Sequence, residues 1–317
     1  VLAGAGLLAG VPAPGQNPAT STSSQSGDRP PETRSPFRIE VDLVLVNVTV
    51  TDPYNRLVTG LETQHFEVFE DKESQEILYF SNEDAPISLG VIFDVSGSMG
   101  QASKLERARQ AAVEFFKTAN PSDEFFVVTF SDDPEMLVEF TNSVEEVQNR
   151  LLYQRASGRT ALLDGLYVGL TAMKEAHNAK KALLLISDGG DNRSRYNVKD
   201  VKGFVREADV QVYALGIFDP AGSRETPELA WGPTLLSELA EMTGGRMFPV
   251  EVQNINDLPD IAAKISVELR NQYLLGYRPS NRKRDGTWRK IKVKLNPPRG
   301  LPPLSVYARS GYYAPSH

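Results

Sequence analysis

Hydrophobic and polar positions along this chain change their period twice. From Arg38 to Thr51, "RIEVDLVLVNVTVT", apolar residues fall at every second position, first Ile39, Val41, Leu43 and Leu45, then Val46, Val48 and Val50. Period two predicts a strand with one buried face, and the change of phase predicts a bulge or two successive strands. Turn residues in "DPYNR" and "DKES" then separate "HFEVFE" from "QEILYF", so the region to about residue 81 reads as all β.

From Ile87 the pattern alternates between strand and helix. "ISLGVIFD" is a continuous apolar run, as in a strand covered on both faces. In "KLERARQAAVEFFKTA" the residues Leu105, Ala108, Ala112, Phe115 and Phe116 share one helical face. Further strands are predicted at "DEFFVVTF", "MLVEF", "KALLLISD", "VQVYALGIF" and "RMFPV". Between them "SVEEVQNRLL", "TALLDGLYVGLTAMKEA", "NVKDVKGFVREA", "TLLSELAEMTGG" and "INDLPDIAAKISVELR" read as helices. Ser143 and Glu146 have capping-box spacing, and a glycine pair stops "TLLSELAEMT". Strands alternating with helices predict an α/β fold with a doubly wound, mostly parallel sheet.

After Arg270 the chain returns to β patterning in "QYLLGYRP", "WRKIKVKL" and "LSVYARSGYY". Two or three strands are marginal alone, so both flanks are expected to pair into one β-sandwich into which the α/β domain is inserted. The expected organisation is 1–36 signal-like start and linker, 37–86 plus 271–315 discontinuous sandwich, and 87–270 the α/β domain. In "WRKIKVKL", Ile291, Val293 and Leu295 alternate with Lys290, Lys292 and Lys294, which reads as an edge strand guarded by lysines.

Composition narrows the function. A formal net charge of −7 argues against nucleic-acid binding. The absence of cysteine excludes disulfides and thiolate sites, and His65, His177 and His317 form no ligand pair, so only a hard cation on oxygen ligands stays open. The start, "VLAGAGLLAGVPAPGQ", resembles the apolar part of a secretory signal, and residues 12–36 are rich in Pro, Ser, Thr and Gly. An exported protein, periplasmic or at the cell surface, is expected.

Ligands of doubly wound sheets bind beyond the carboxyl ends of strands. "FDVSGSMG" leaves one such end and "LISDGGDN" leaves the strand expected beside it, while "SGRTALLDGL" opens the helix packed before the latter. One rim thus gathers Asp94, Ser96, Ser98, Thr160 and Asp188. Three hydroxyls and two carboxylates without His or Cys suit an octahedral Mg²⁺, with Mn²⁺ or Ca²⁺ as alternatives. Asp191 and Asn192 are expected to cap the following helix, Asp164 to lie on a helix face, and Trp231 to sit in a rim loop, 219–233, as an interface anchor or a packing residue.

D-x-S-x-S after a buried strand, the distant Thr of "SGRTAL" and the "SDG" aspartate resemble the metal ion-dependent adhesion site of von Willebrand factor type A domains, over roughly 87–270. With "YLLGYRP" and "ARSGYYAP" the wider chain is similar to the bacterial VWFA-related subgroup first recognised in Acidobacteria. The resemblance implies that Ser96 and Ser98 ligate the ion directly, Thr160 directly or through water, and that Asp94 and Asp188 hold coordinated waters or that one of them binds directly. It implies a non-enzymatic module whose ion takes an Asp or Glu carboxylate of a protein partner, with no small-molecule substrate. Two alternatives stand beside it: a structural envelope component with a vestigial site, and a Rossmann-like metal-dependent hydrolase. Against the enzyme, position 96 lacks a second Asp, no dinucleotide or P-loop motif is present, and His177 ends a helix away from the rim.

Overall fold

The computed structural model describes residues 43–219 and 227–316. The signal-like start and linker, the first part of the "RIEVD" strand, loop residues 220–226 and His317 lie outside the described residues. The described residues form one compact unit.

The α/β part opens with β5 (Ile87–Asp94), whose eight residues are all buried. It continues through α1 (Lys104–Phe116), β6 (Glu124–Phe130), β7 (Pro134–Thr141), α2 (Val144–Leu152), α3 (Leu162–Ala172) and β8 (Lys180–Ser187). It closes with α4 (Val198–Glu207), β9 (Gln211–Phe218), α5 (Pro227–Thr243), β10 (Met247–Glu251) and α6 (Leu258–Arg270). The six strands are ordered β10-β9-β8-β5-β6-β7. All neighbours are parallel except β7, which returns antiparallel to β6. This mixed architecture matches the α/β expectation.

Alternate residues of β5 feed opposite cores. Val91 and Phe93 pack with Ala108, Phe115 and the α6 residues Ala262 and Ile265. Ile92 packs on the other face with Leu162, Leu166 and the α4 residue Val201. Burial on both faces is why β5 and β8 read as unbroken apolar runs. Strand order reverses between β5 and β8, so their carboxyl ends flank the crevice where such sheets bind ligands.

Around this lie two antiparallel four-stranded sheets built from both flanks. The first is β13-β1-β11-β4, from β1 (Val44–Thr51), β4 (Ile77–Ser81), β11 (Tyr273–Tyr277) and β13 (Ser305–Ala308). The second is β14-β12-β2-β3, from β2 (Phe66–Glu70), β3 (Glu73–Gln75), β12 (Trp288–Leu295) and β14 (Gly311–Tyr313). They share one core, Val46, Val48, Val50, Phe66, Val68, Tyr273, Leu275 and Ile291.

Several local expectations need correction. Val44–Thr51 is a single strand in unbroken register with β11, and the change of phase arises because Leu43 and Leu45 point outward while Val46, Val48 and Val50 face the core. β12 is no edge strand: it pairs with β2 on one side and β14 on the other, and Lys294 stands over the Phe69 ring. "LSVYARSGYY" is two strands, not one. It breaks at Arg309–Ser310, where Arg309 pairs with Asp209 and Ser310 N donates to the Met242 carbonyl, and the chain passes from one sheet to the other.

Candidate metal centre

Asp94 ends β5 and is fully buried. Its Oδ1 accepts from the Ser96 amide at 2.8 Å, and its Oδ2 accepts from the Ser187 hydroxyl at 2.6 Å. Ser187, the last residue of β8, also accepts from the Gly189 amide at 3.0 Å, which ties the two strand ends together. Ser96 Oγ and Ser98 Oγ lie 3.1 Å apart. Burial, and then the nearby Asp188 charge, push the Asp94 carboxyl up to about 7, against the lowering effect of the Ser187 and Ser96 hydrogen bonds.

Asp188, one residue beyond β8, is buried as well. Its Oδ2 lies 3.3 Å from Lys104 Nζ, and its Oδ1 has no hydrogen-bond partner. Among the described residues it is the one carboxylate oxygen buried without a partner. Native interiors rarely leave such an atom unsatisfied, so it marks a position held open for a donor or a cation.

Thr160 is buried at the same rim. Its amide donates to Asn192 Oδ1 at 3.0 Å, and its carbonyl accepts from the Asn192 amide at 3.0 Å. The Thr160 loop is also drawn to the Ser96 loop, because the Gly97 amide donates to the Gly158 carbonyl at 3.0 Å and the Ser157 amide to the Val95 carbonyl at 2.9 Å. Gly97 suits this close approach, since a Cβ there would stand 3.2 Å from the Gly158 oxygen, a tight contact. The structure therefore brings all five sequence-predicted residues to one rim. Asp94, Ser96, Ser98 and Asp188 form the inner group, while among the described residues no hydrogen bond links the Thr160 hydroxyl to them.

Two other expectations change. Asp191 and Asn192 do not cap the following helix, whose cap is Asn197, reciprocated by Asp200. Instead Asp191 Oδ2 accepts from Leu163 N in the first turn of α3, a helix whose own cap position, Ala161, has no side-chain acceptor. Asp164 lies on α3 as expected, and there it is buried and accepts from the Arg195 and Tyr196 amides, fastening the loop after β8 onto the helix. Trp231 lies not in a loop but in α5, which begins at Pro227 inside the expected 219–233 loop, and it is exposed. It adjoins Gly232, which packs so closely on Gly189 (φ +82°) that a Cβ on Gly189 would come within 2.7 Å of it. That contact places Trp231 beside the Asp188 loop.

Sequence reasoning missed Lys104 and Ser187. Lys104 carried a signal, because a cation in the first position of a helix opposes the positive end of the helix dipole and needs a local anion. Ser187 carried none, since a serine closing a strand is ordinary.

The donor set tests well against a hard divalent ion. Hydroxyls and carboxylates are the oxygen ligands that Mg²⁺ takes, and the unpartnered Asp188 oxygen and the Asp94–Asp188 repulsion are what such an ion would relieve. Among the described residues no cluster of three or more His, Cys, Asp or Glu side chains is arranged to hold a metal, so an ion here would depend on hydroxyls as much as on carboxylates.

Comparison with known proteins agrees with this fold. An uncharacterized protein of Borreliella burgdorferi is 21% identical over 214 residues, 57% of this chain and 61% of its own length. The inter alpha-trypsin inhibitor heavy chain 4 of Mus musculus is 26% identical over 159 residues, 45% of this chain and 17% of its own. The chain thus matches about three fifths and about a sixth of these relatives' lengths. Among solved structures, a von Willebrand factor type A protein from Catenulispora acidiphila superposes with a TM-score of 0.51 at 14% identity, over 88% of this chain and 64% of that one. Residues 89–190, which span β5, β8 and the loops carrying all five rim residues, match the von Willebrand factor type A domain family, and this chain therefore carries a von Willebrand factor type A domain.

Proposed function

We propose that the rim formed by Asp94, Ser96, Ser98, Thr160 and Asp188 holds one Mg²⁺, or Mn²⁺ or Ca²⁺ in its place, and serves as a docking point for an acidic residue of another protein. The observation that carries this reading is the buried, unpartnered Oδ1 of Asp188, whose charge acts on the buried Asp94 carboxyl. Ser96 and Ser98 would contribute neutral hydroxyls, Thr160 a third, and Asp94 and Asp188 the negative charge. When bound, the ion supplies electrophilic attraction for an outside carboxylate. Neutral donors in this set leave more of that attraction for the partner than an all-carboxylate cage would. Trp231, exposed beside the Asp188 loop, gives the partner an aromatic surface next to the ion.

The same geometry supports a binding module over an enzyme. The rim serines have Asp94 and one another as hydrogen-bond partners, whereas His177 pairs with Glu124, the first residue of β6, at the opposite edge of the sheet. His177 therefore offers these serines no base. The signal-like start supports an exported setting, at the envelope or cell surface.

Calorimetry with the full chain tests the site. Wild type is expected to bind one Mg²⁺ or Mn²⁺, and Asp188→Asn and Ser96→Ala to lose that binding while circular dichroism stays unchanged. Equal affinity in all three proteins would refute the assignment. Capture of a partner that disappears with chelator would extend it to function.

A further inference from the structure

Lys104 is a costly residue where it stands. It is the first residue of α1, at the positive end of the helix dipole, and its side chain is 7% exposed. The turn that delivers it holds two consecutive non-glycine residues in the left-handed region, Ala102 (φ 50°) and Ser103 (φ 61°). Ser103 occupies the helix cap position yet makes no side-chain capping bond. Left-handed backbone at such residues is uncommon and persists where the surroundings over-determine it. Burial of an ammonium, a cation at a helix start and a left-handed turn all act against this arrangement. What they achieve together is to place one positive charge 3.3 Å from Asp188 Oδ2, within the same rim that gathers Asp94, Ser96 and Ser98.

We propose that Lys104 is an internal counter-ion of this rim, holding Asp188 in the metal-free protein and competing with the divalent cation for it. The inference rests on the metal-site reading above. Two buried, interacting carboxylates would repel without a cation, and the Lys104 ammonium offsets part of that charge when no ion is present. A divalent ion arriving at the unpartnered Asp188 oxygen meets the same ammonium a few ångströms away, in surroundings of low dielectric. Lys104 therefore keeps the empty rim folded and weakens the ion's hold. Lys104 is a positioning residue in this scheme and not a ligand.

Replacement of Lys104 by Met keeps the buried stem and removes the charge, and Lys104→Gln provides a neutral, polar second variant should the first fail to fold. Isothermal titration of full-length protein with Mg²⁺ and Mn²⁺ is expected to show at least about tenfold tighter binding in either variant, the gain expected when a nearby like charge is removed. Thermal melting in chelator should show both variants less stable than wild type, with the order equal or reversed at saturating Mg²⁺. If wild type binds the ions and both variants bind equally or more weakly, Lys104 supports Asp188 and does not compete, and the proposal is overturned while the metal site stands. Binding by a variant but not by wild type would support the competition in its extreme form. If neither wild type nor variants bind, the metal-site reading itself fails, and this inference with it.

Discussion

The two edges of the parallel sheet hold buried carboxylates in opposite states. At the edge where strands begin, Asp123 accepts from the Ile87 amide at 2.8 Å and the Asn120 amide at 2.7 Å, and pairs with Arg270. Close by, Glu268 accepts from the Tyr213 hydroxyl at 3.0 Å and from Arg246 at 2.8 Å. Arg246 goes on to Asn55 and lies over the rings of Phe248 and Tyr307, which joins the sheet to the sandwich. At the edge where strands end, burial and the Asp188 charge raise the cost of ionising Asp94, while Asp188 has one lysine beside it and one oxygen without a partner. Burial is comparable at the two edges, so the difference lies in compensation. Carboxylates that fix the architecture have every oxygen engaged, whereas those at the rim keep capacity in reserve, and that reserve is what an ion or a partner can use.

The largest effect should come from cutting the compensated edge. Arg246→Met leaves Glu268 buried without its cation and frees the sandwich contact, so it should lower the unfolding free energy by about 3–5 kcal/mol in urea denaturation. A loss under about 1 kcal/mol would mean that this edge is no more firmly compensated than the rim.

Lys180 sharpens the comparison, because it is the cation of the strand-start edge whose charge is poorly supported. Its amine donates to the Leu269 carbonyl, and burial, opposed by Asp84, brings it from 10.5 down to about 8. Between those values the unfolded chain holds a proton that the folded chain lacks, so this group's contribution makes stability rise with pH across that window and stay flat below it. The full rise is about 3 kcal/mol from the size of the shift. Lys180→Met should abolish that slope in denaturation measured from pH 7.5 to 10.5; an unchanged slope would assign it to other groups.

The smallest effect concerns the rim itself. Asp94→Asn removes the repulsion with Asp188 and should leave metal-free stability unchanged or raised by up to about 1 kcal/mol, while divalent binding is lost. A variant destabilised by more than about 2 kcal/mol would show Asp94 to be as structural as Asp123.

Local patterning in the sequence already carried the order of elements in the α/β part and singled out five residues that the fold then places at one rim. Period and apolar runs are local signals, and strand ends in "FDVSGSMG" and "LISDGG" reveal where oxygen-bearing side chains leave a doubly wound sheet. It did not reveal Lys104 and Ser187 as members of the site, nor the redirection of Asp191 and Asp164 to fasten the loop after β8 onto α3. Their partners lie 28 to 93 residues away in the chain, and no local pattern encodes such a pairing. Strand position followed the same rule: the alternation in "WRKIKVKL" sets which side chains face inward, but only the flanking strands β2 and β14 made it an interior strand. Inward and outward faces follow from the two-residue repeat of the backbone, whereas neighbours and compensating charges exist only once distant segments have packed.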